Sequence, residues 1–133
     1  MHINFDLDIM TSAKYLVREI CNKDQRIDII LLLTEKVLDY DGESLIHIIL
    51  YEAIKSNHLA LGSDLCDSLG IMLFERSSPG SLTDAIAQKM TIDQPTCKEN
   101  IAWFNDLISE HLGISADEWE KDCLSSFTFV KTI

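Results

Sequence analysis

Glycine and proline are scarce in this chain, with five and two among 133 residues. Beside 47% hydrophobic residues, that scarcity excludes a disordered low-complexity chain or a collagen-like repeat. Basic residues are scarce too: 11 Lys and Arg stand against 22 Asp and Glu, a formal charge of −11. Phosphates must be met by cations, so this balance argues against direct binding to nucleic acid or to an anionic membrane. Long apolar runs are missing as well. The longest aliphatic stretch, Ile29-Ile30-Leu31-Leu32-Leu33, is far too short to span a bilayer.

The first residues, Met1-His2-Ile3-Asn4-Phe5-Asp6-Leu7-Asp8, have no basic n-region and place carboxylates where a signal peptide needs an apolar core. A cytoplasmic location is therefore expected. Cys21, Cys66, Cys97 and Cys123 are separated by 45, 31 and 26 residues, with no CxxC pair. An even count permits two disulfides, but without a secretion signal reduced and mostly buried thiols fit better.

Catalytic and metal motifs are also lacking. His2, His47, His58 and His111 never fall at HxH or HxxxH spacing, and structural zinc draws on closely spaced ligand pairs. Solvent-facing or singly hydrogen-bonded histidines are expected instead. Asp39-Tyr40-Asp41-Gly42-Glu43 superficially resembles a calcium loop, but Ser44 and Leu50 occupy the positions that need Gly and a bidentate Glu. Gly62-Ser63-Asp64-Leu65-Cys66-Asp67-Ser68 is not GxSxG, and no phosphate-cradling glycine loop exists. No cofactor and no enzyme activity are expected.

What is present is helical patterning in a single domain, residues 1–133. Residues 2–9 alternate polar and apolar, which predicts a short strand, and Thr11-Ser12 offers a cap for the helix that follows. Ile27 to Leu38 is apolar nearly all round, which suits a helix at the centre of a bundle, although its β-branched residues also permit a buried strand. Asp39–Glu43 ends it, with Gly42 free to take positive φ. A third helix carries Leu45, Ile48, Ile49, Ala53 and Ile54, and Ser63 offers a cap for a fourth through Leu65, Leu69, Met72 and Leu73.

Ser77-Ser78-Pro79-Gly80 is the clearest turn, followed by a capping box at Ser81–Asp84 and a helix to Met90. Gln94-Pro95 marks the next start, with an apolar stripe at Ile101, Phe104, Leu107, Ile108 and Leu112. Gly113 suits the following C′ position, Ser115–Glu118 is a full capping box, and Ile114 with Trp119 forms its hydrophobic staple. Residues 126–133 favour an extended tail. The fold expected is mainly α, a compact bundle of about six to seven helices with short extended segments at both termini.

Offsetting the chain by 36 residues lays Leu33, Val37 and Leu38 on Leu69, Leu73 and Phe74. Helical hairpins stacked like short HEAT repeats would produce this match, and so would any small helical bundle.

Charge is unevenly placed. Residues 1–38 hold six acids and five bases, whereas 39–75 hold seven acids, Asp39, Asp41, Glu43, Glu52, Asp64, Asp67 and Glu75, against Lys55 alone. Helix-dipole complementarity accounts for some of them, at about 0.3–1 kcal/mol each, but not for the missing cations. A second cluster, Asp117, Glu118, Glu120 and Asp122, flanks Trp119. An acidic binding face for a basic protein is the expectation, built from Asp39, Asp41, Glu43, Asp64, Asp67, Glu75, Asp117 and Glu120. Trp103, one residue before core Phe104 and on one face with Leu107 and Glu110, is a candidate anchor at a core edge, because Trp is enriched at interface hot spots.

The acidic turn Asp39–Ser44, the acidic helix opening Gly62–Asp67 and the ending Leu112–Trp119 resemble, in character and without a signature motif, bacterial immunity proteins. These neutralise toxins of the contact-dependent inhibition, colicin and polymorphic types. The resemblance implies an antitoxin that binds a basic nuclease domain, its carboxylates occupying the surface meant for phosphates. A type III secretion chaperone, which would carry a substantial sheet, and a phage-type inhibitor or DNA mimic are the alternatives.

Overall fold

Asp8, and not the Thr11-Ser12 pair, caps the first helix in the computed structural model, which describes residues 8–41, 43–57, 62–93 and 101–124. Its carboxylate accepts the Thr11 N–H at 2.8 Å, which satisfies an orphan donor and holds the carboxyl below its ordinary pKa. Ile9, the last apolar residue of the alternating segment, is already helical, so at this residue the period-2 reading gives way to a helix. Residues 2–7 of that expected strand, and the expected tail at 126–133, lie outside the described residues.

Seven helices follow in order among the described residues: α1 (Ile9–Cys21), α2 (Ile27–Asp41), α3 (Ser44–Asn57), α4 (Ser63–Arg76), α5 (Leu82–Ile92), α6 (Ala102–Leu112) and α7 (Ala116–Leu124). They form a compact bundle. No strand occurs among the described residues, so Ile27–Leu38 is helix and the strand alternative is overturned. Its surroundings also differ from expectation. Leu32 is 46% exposed, and Asp28, Glu35 and Asp39 share the solvent side, while every residue from Leu45 to Tyr51 of α3 is buried. The centre of the bundle is therefore α3, which carries almost no charge over two full turns.

Local signals set the helix ends with two corrections. Gly62 occupies the cap position of α4 with no side-chain bond, and Ser63 is its first helical residue. α5 is capped by Ser81, whose hydroxyl accepts the Asp84 N–H at 3.1 Å. Asp84 reaches back past the cap to accept the Gly80 N–H at 3.0 Å, where Gly80 has a φ of 78°. Gly113, at φ 70°, closes α6, and Ser115 caps the Glu118 N–H of α7. Gln94-Pro95 and Gly42 lie outside the described residues.

α4 and α5 make the most extensive pairing in the bundle, and Gly70 is the reason they approach so closely. A Cβ there would lie 2.6 Å from Thr91 Cγ2 and 3.2 Å from the Ala87 carbonyl oxygen. α1 packs on α2 and α3, α2 also on α3 and α4, α6 on α5, and α7 on α3 and α6. Edge-to-face contacts of Tyr51 with Phe104 and Trp119, at 5.5 and 5.3 Å between ring centroids, join α3, α6 and α7.

The offset of 36 residues has a structural counterpart. Ile29, Ile30, Leu33, Thr34 and Val37 of α2 are buried, and so are their counterparts Leu65, Cys66, Leu69, Gly70 and Leu73 of α4. Along the next helices, Ile46, His47, Ile48, Leu50, Tyr51 and Ile54 match Leu82, Thr83, Asp84, Ile86, Ala87 and Met90, all buried. One position breaks the register in the outer helices: Leu38 is 3% exposed and Phe74 59%. His47 and Thr83, equivalent residues of the two pairs, meet directly, with Nε2 and Oγ1 hydrogen-bonded at 2.9 Å in the interior.

Candidate interaction surface

α4 is amphipathic with an uncommon outer side. Leu65, Cys66, Leu69, Gly70 and Leu73 face inward. Asp64, Asp67, Ile71, Phe74 and Glu75 fall at i, i+3, i+7, i+10 and i+11, one contiguous flank, and all five are exposed. Three of the expected acidic residues thus share a stripe with two large apolar side chains. Ile71 and Phe74 were missed by the sequence reading, which followed the Leu65–Leu69–Leu73 spacing. The available signal was that both stand out of phase with that inward row.

The remaining candidates are distributed differently. Asp39, near the end of α2, accepts from Arg76 Nη2 at 2.7 Å, so the cation one residue beyond the acidic segment offsets part of its charge. Asp41 is the last residue of α2, and its side chain lies outside the described set. Glu43 is half-buried in the turn, where its carbonyl oxygen accepts the His47 N–H at 3.1 Å.

On α7, Asp117 is exposed in the first turn, but Glu120 is tied to α3. Lys55 Nζ donates to both of its oxygens, at 2.8 and 3.0 Å, and these bonds push the ammonium above its ordinary pKa. The same lysine lies 5.6 Å from the centroid of the Tyr51 ring, whose phenol is pushed up by burial and then by the Glu120 carboxylate. The nine candidates therefore do not form one face. Asp64, Asp67 and Glu75 share the α4 flank with Asp39 at its end, Asp117 and Glu120 lie on α7, Glu43 is in the α2–α3 turn and Trp103 is in α6.

Trp103 is not at the surface. It is 4% exposed and tilted on Phe104 at 5.1 Å between centroids, with its Nε1 buried and without a hydrogen-bond partner among the described residues. Its neighbour Phe104 is in the core, and the contact between the two rings places Trp103 in the same buried cluster.

α5 and α6 border a cleft of about 250 Å³ lined by Gln88, Lys89, Ile92, Asp93, Leu107, Glu110 and His111 among others. There Lys89 pairs with Asp93 at 3.2 Å, and His111 Nδ1 donates to the Leu107 carbonyl at 3.0 Å. Among the described residues no three His, Cys, Asp or Glu side chains gather as a metal would require, and no helix is long and apolar enough to cross a membrane. Cys21 is half-buried and Cys66 buried. Comparison with protein-family models, curated proteins and solved structures finds no match to this chain.

Proposed function

We propose that this protein is a cytoplasmic antitoxin, an immunity-type inhibitor that neutralises a basic toxin by binding it through an acidic surface. The observation that carries the reading is the α4 flank, where Asp64, Asp67 and Glu75 are exposed on one side of one helix. A nuclease domain is the partner class that fits best, because a surface built to hold phosphates is basic and a row of carboxylates competes for it. Inhibition of this kind needs no cofactor and no chemistry from the inhibitor itself.

The secretion-chaperone alternative calls for a substantial sheet, and no strand occurs among the described residues. An inhibitor of a nucleic-acid-binding machine shares the same electrostatics and is separated by the identity of the partner. The test is affinity capture of the native partner at low salt, with the unaltered protein and with Asp64→Lys/Asp67→Lys/Glu75→Lys. A basic toxin domain retained by the first and lost by the second supports the reading. A partner held equally by both proteins removes the acidic surface from the argument. Association should also slow as ionic strength rises, since exposed charges are screened beyond about 10 Å at 0.1 M salt.

A further inference from the structure

We infer that the outer flank of α4 is an open stacking position whose occupant is a basic amphipathic helix of a partner protein, with Phe74 and Ile71 as its apolar anchors. This rests on the acidic-surface reading above and specifies how that surface is engaged.

The argument starts from the internal register. α2 and α4 bury the same positions 36 residues apart, except that Leu38 is covered and its equivalent Phe74 is open. The covered end of α2 is the one turned towards α4, because Asp39, next to Leu38, reaches Arg76 at 2.7 Å. By the same register, the equivalent side of α4 is the one that carries Phe74 and Glu75. Among the described residues, α4 packs extensively on α5 and α2, whereas α2 packs on α1, α3 and α4. The outer helix of a stack normally presents a polar face to water. Here Ile71 is 54% and Phe74 59% exposed, three residues apart on one side of the helix.

Charge then selects the occupant. Asp64, Asp67 and Glu75 border the two apolar residues, so a helix seated on Phe74 and Ile71 brings its flanking positions against carboxylates. Lys and Arg satisfy those positions. A second copy of this chain does not, because two molecules each carrying −11 would oppose their acidic flanks. The recognition mode is a helix laid along an apolar stripe, with the rim charges setting partner choice.

The probe is a synthetic Leu/Lys peptide of about five helical turns, its leucines at i, i+3, i+4 and i+7 spacing, against a scrambled control of equal charge. Its affinity is measured by titration and its footprint by amide chemical shifts. Phe74→Gln and Ile71→Gln should each weaken binding about tenfold, as hot-spot truncation does. Ile92→Gln, an exposed apolar residue on α5, should leave binding unchanged, and the footprint should follow α4. All these variants keep the net charge constant and alter exposed side chains, so folding is preserved.

If Phe74→Gln and Ile71→Gln bind the peptide normally while Asp64→Lys/Asp67→Lys/Glu75→Lys loses it, the stacking inference falls and the acidic-surface reading stands. If all of these variants bind normally, both fall. Equal affinity for the scrambled control also overturns the inference. So does a dimer in sedimentation velocity that Phe74→Gln dissolves, because the flank would then belong to a second copy.

Discussion

The helix pairs α2–α3 and α4–α5 bury equivalent residues at a constant spacing of 36, yet they occupy different places in the molecule. In the first pair, α3 is buried on all sides over residues 45–51 and α2 has neighbours on both flanks. In the second, α5 retains half-buried positions at Ala85 and Lys89 where α3 has Ile49 and Ala53 buried, and Phe74 is exposed where Leu38 is covered. The same periodicity thus supports a central layer and an edge layer. The inward row of a helix follows from its own sequence, whereas the covering of its flanks depends on what stacks beside it.

The largest expected effect tests that contrast directly. Leu38→Ala should destabilise by about 3 kcal/mol, within the range for a buried leucine truncated to alanine, while Phe74→Ala should stay within about 0.5 kcal/mol. Denaturant midpoints of the two variants measure it. Equal losses would mean that Phe74 is covered in solution and that the two pairs are not distinguished by their position.

Gly70 sharpens the comparison from the other side. Its equivalent in α2 is Thr34, so Gly70→Thr installs in the second pair what the first already carries. With Thr91 Cγ2 and the Ala87 oxygen so close to the added Cβ, the variant should cost about 2–3 kcal/mol by forcing α4 from α5. Thermal unfolding checks it, and an unchanged midpoint would show that the close approach of α4 and α5 relaxes freely.

The bond between the pairs gives a pH-dependent test. Burial lowers the pKa of His47 from 6.5 to about 4, so the imidazole is neutral in the fold and gains its proton more readily when unfolded. Between those values the unfolded chain binds more protons, so stability is fully present above pH 6.5 and declines as pH falls towards 4. From pH 7 to pH 5 the loss from this residue should be roughly 2 kcal/mol. Carboxylates titrate in the same range, so the measurement is the difference between the unaltered protein and His47→Asn. A pH slope unaffected by that substitution would refute the assignment.

The smallest effects concern ion pairs. Lys55 and Glu120, with Glu120 only 15% exposed, should show a coupling of about 0.5–1 kcal/mol in a double-mutant cycle. Asp39 and Arg76, at 62% and 37% exposure, should show less than about 0.5 kcal/mol. Both should shrink in salt.

Much of the fold is legible in the residues themselves. Ser81, Gly113 and Ser115 mark helix ends because their side chains, or the lack of one, satisfy terminal backbone groups locally. The inward row of α4 follows from Leu65, Leu69 and Leu73 at helical spacing. Asp8 was overlooked because the alternation around it suggested a strand, and the first helix begins one residue later. Trp103 was weighed as a surface anchor because adjacency to Phe104 does not reveal how deeply α6 is buried. The acidic candidates could be counted in the sequence but not sorted. Nothing local indicates that Glu120 meets Lys55, 65 residues away, or that Asp39 meets Arg76.

The deficit of basic residues and the shortage of glycine and proline determined, by themselves, an acidic helical chain with its net negative charge concentrated after residue 38. They could do so because composition and helical period are properties of neighbours along the chain. Only the tertiary structure decided that α3 and not α2 is central, that Lys55 and Arg76 offset part of the acidic count, and that Phe74 stands open between Asp67 and Glu75. Those outcomes depend on which helix stacks against which, and that follows from close packing between residues far apart in sequence.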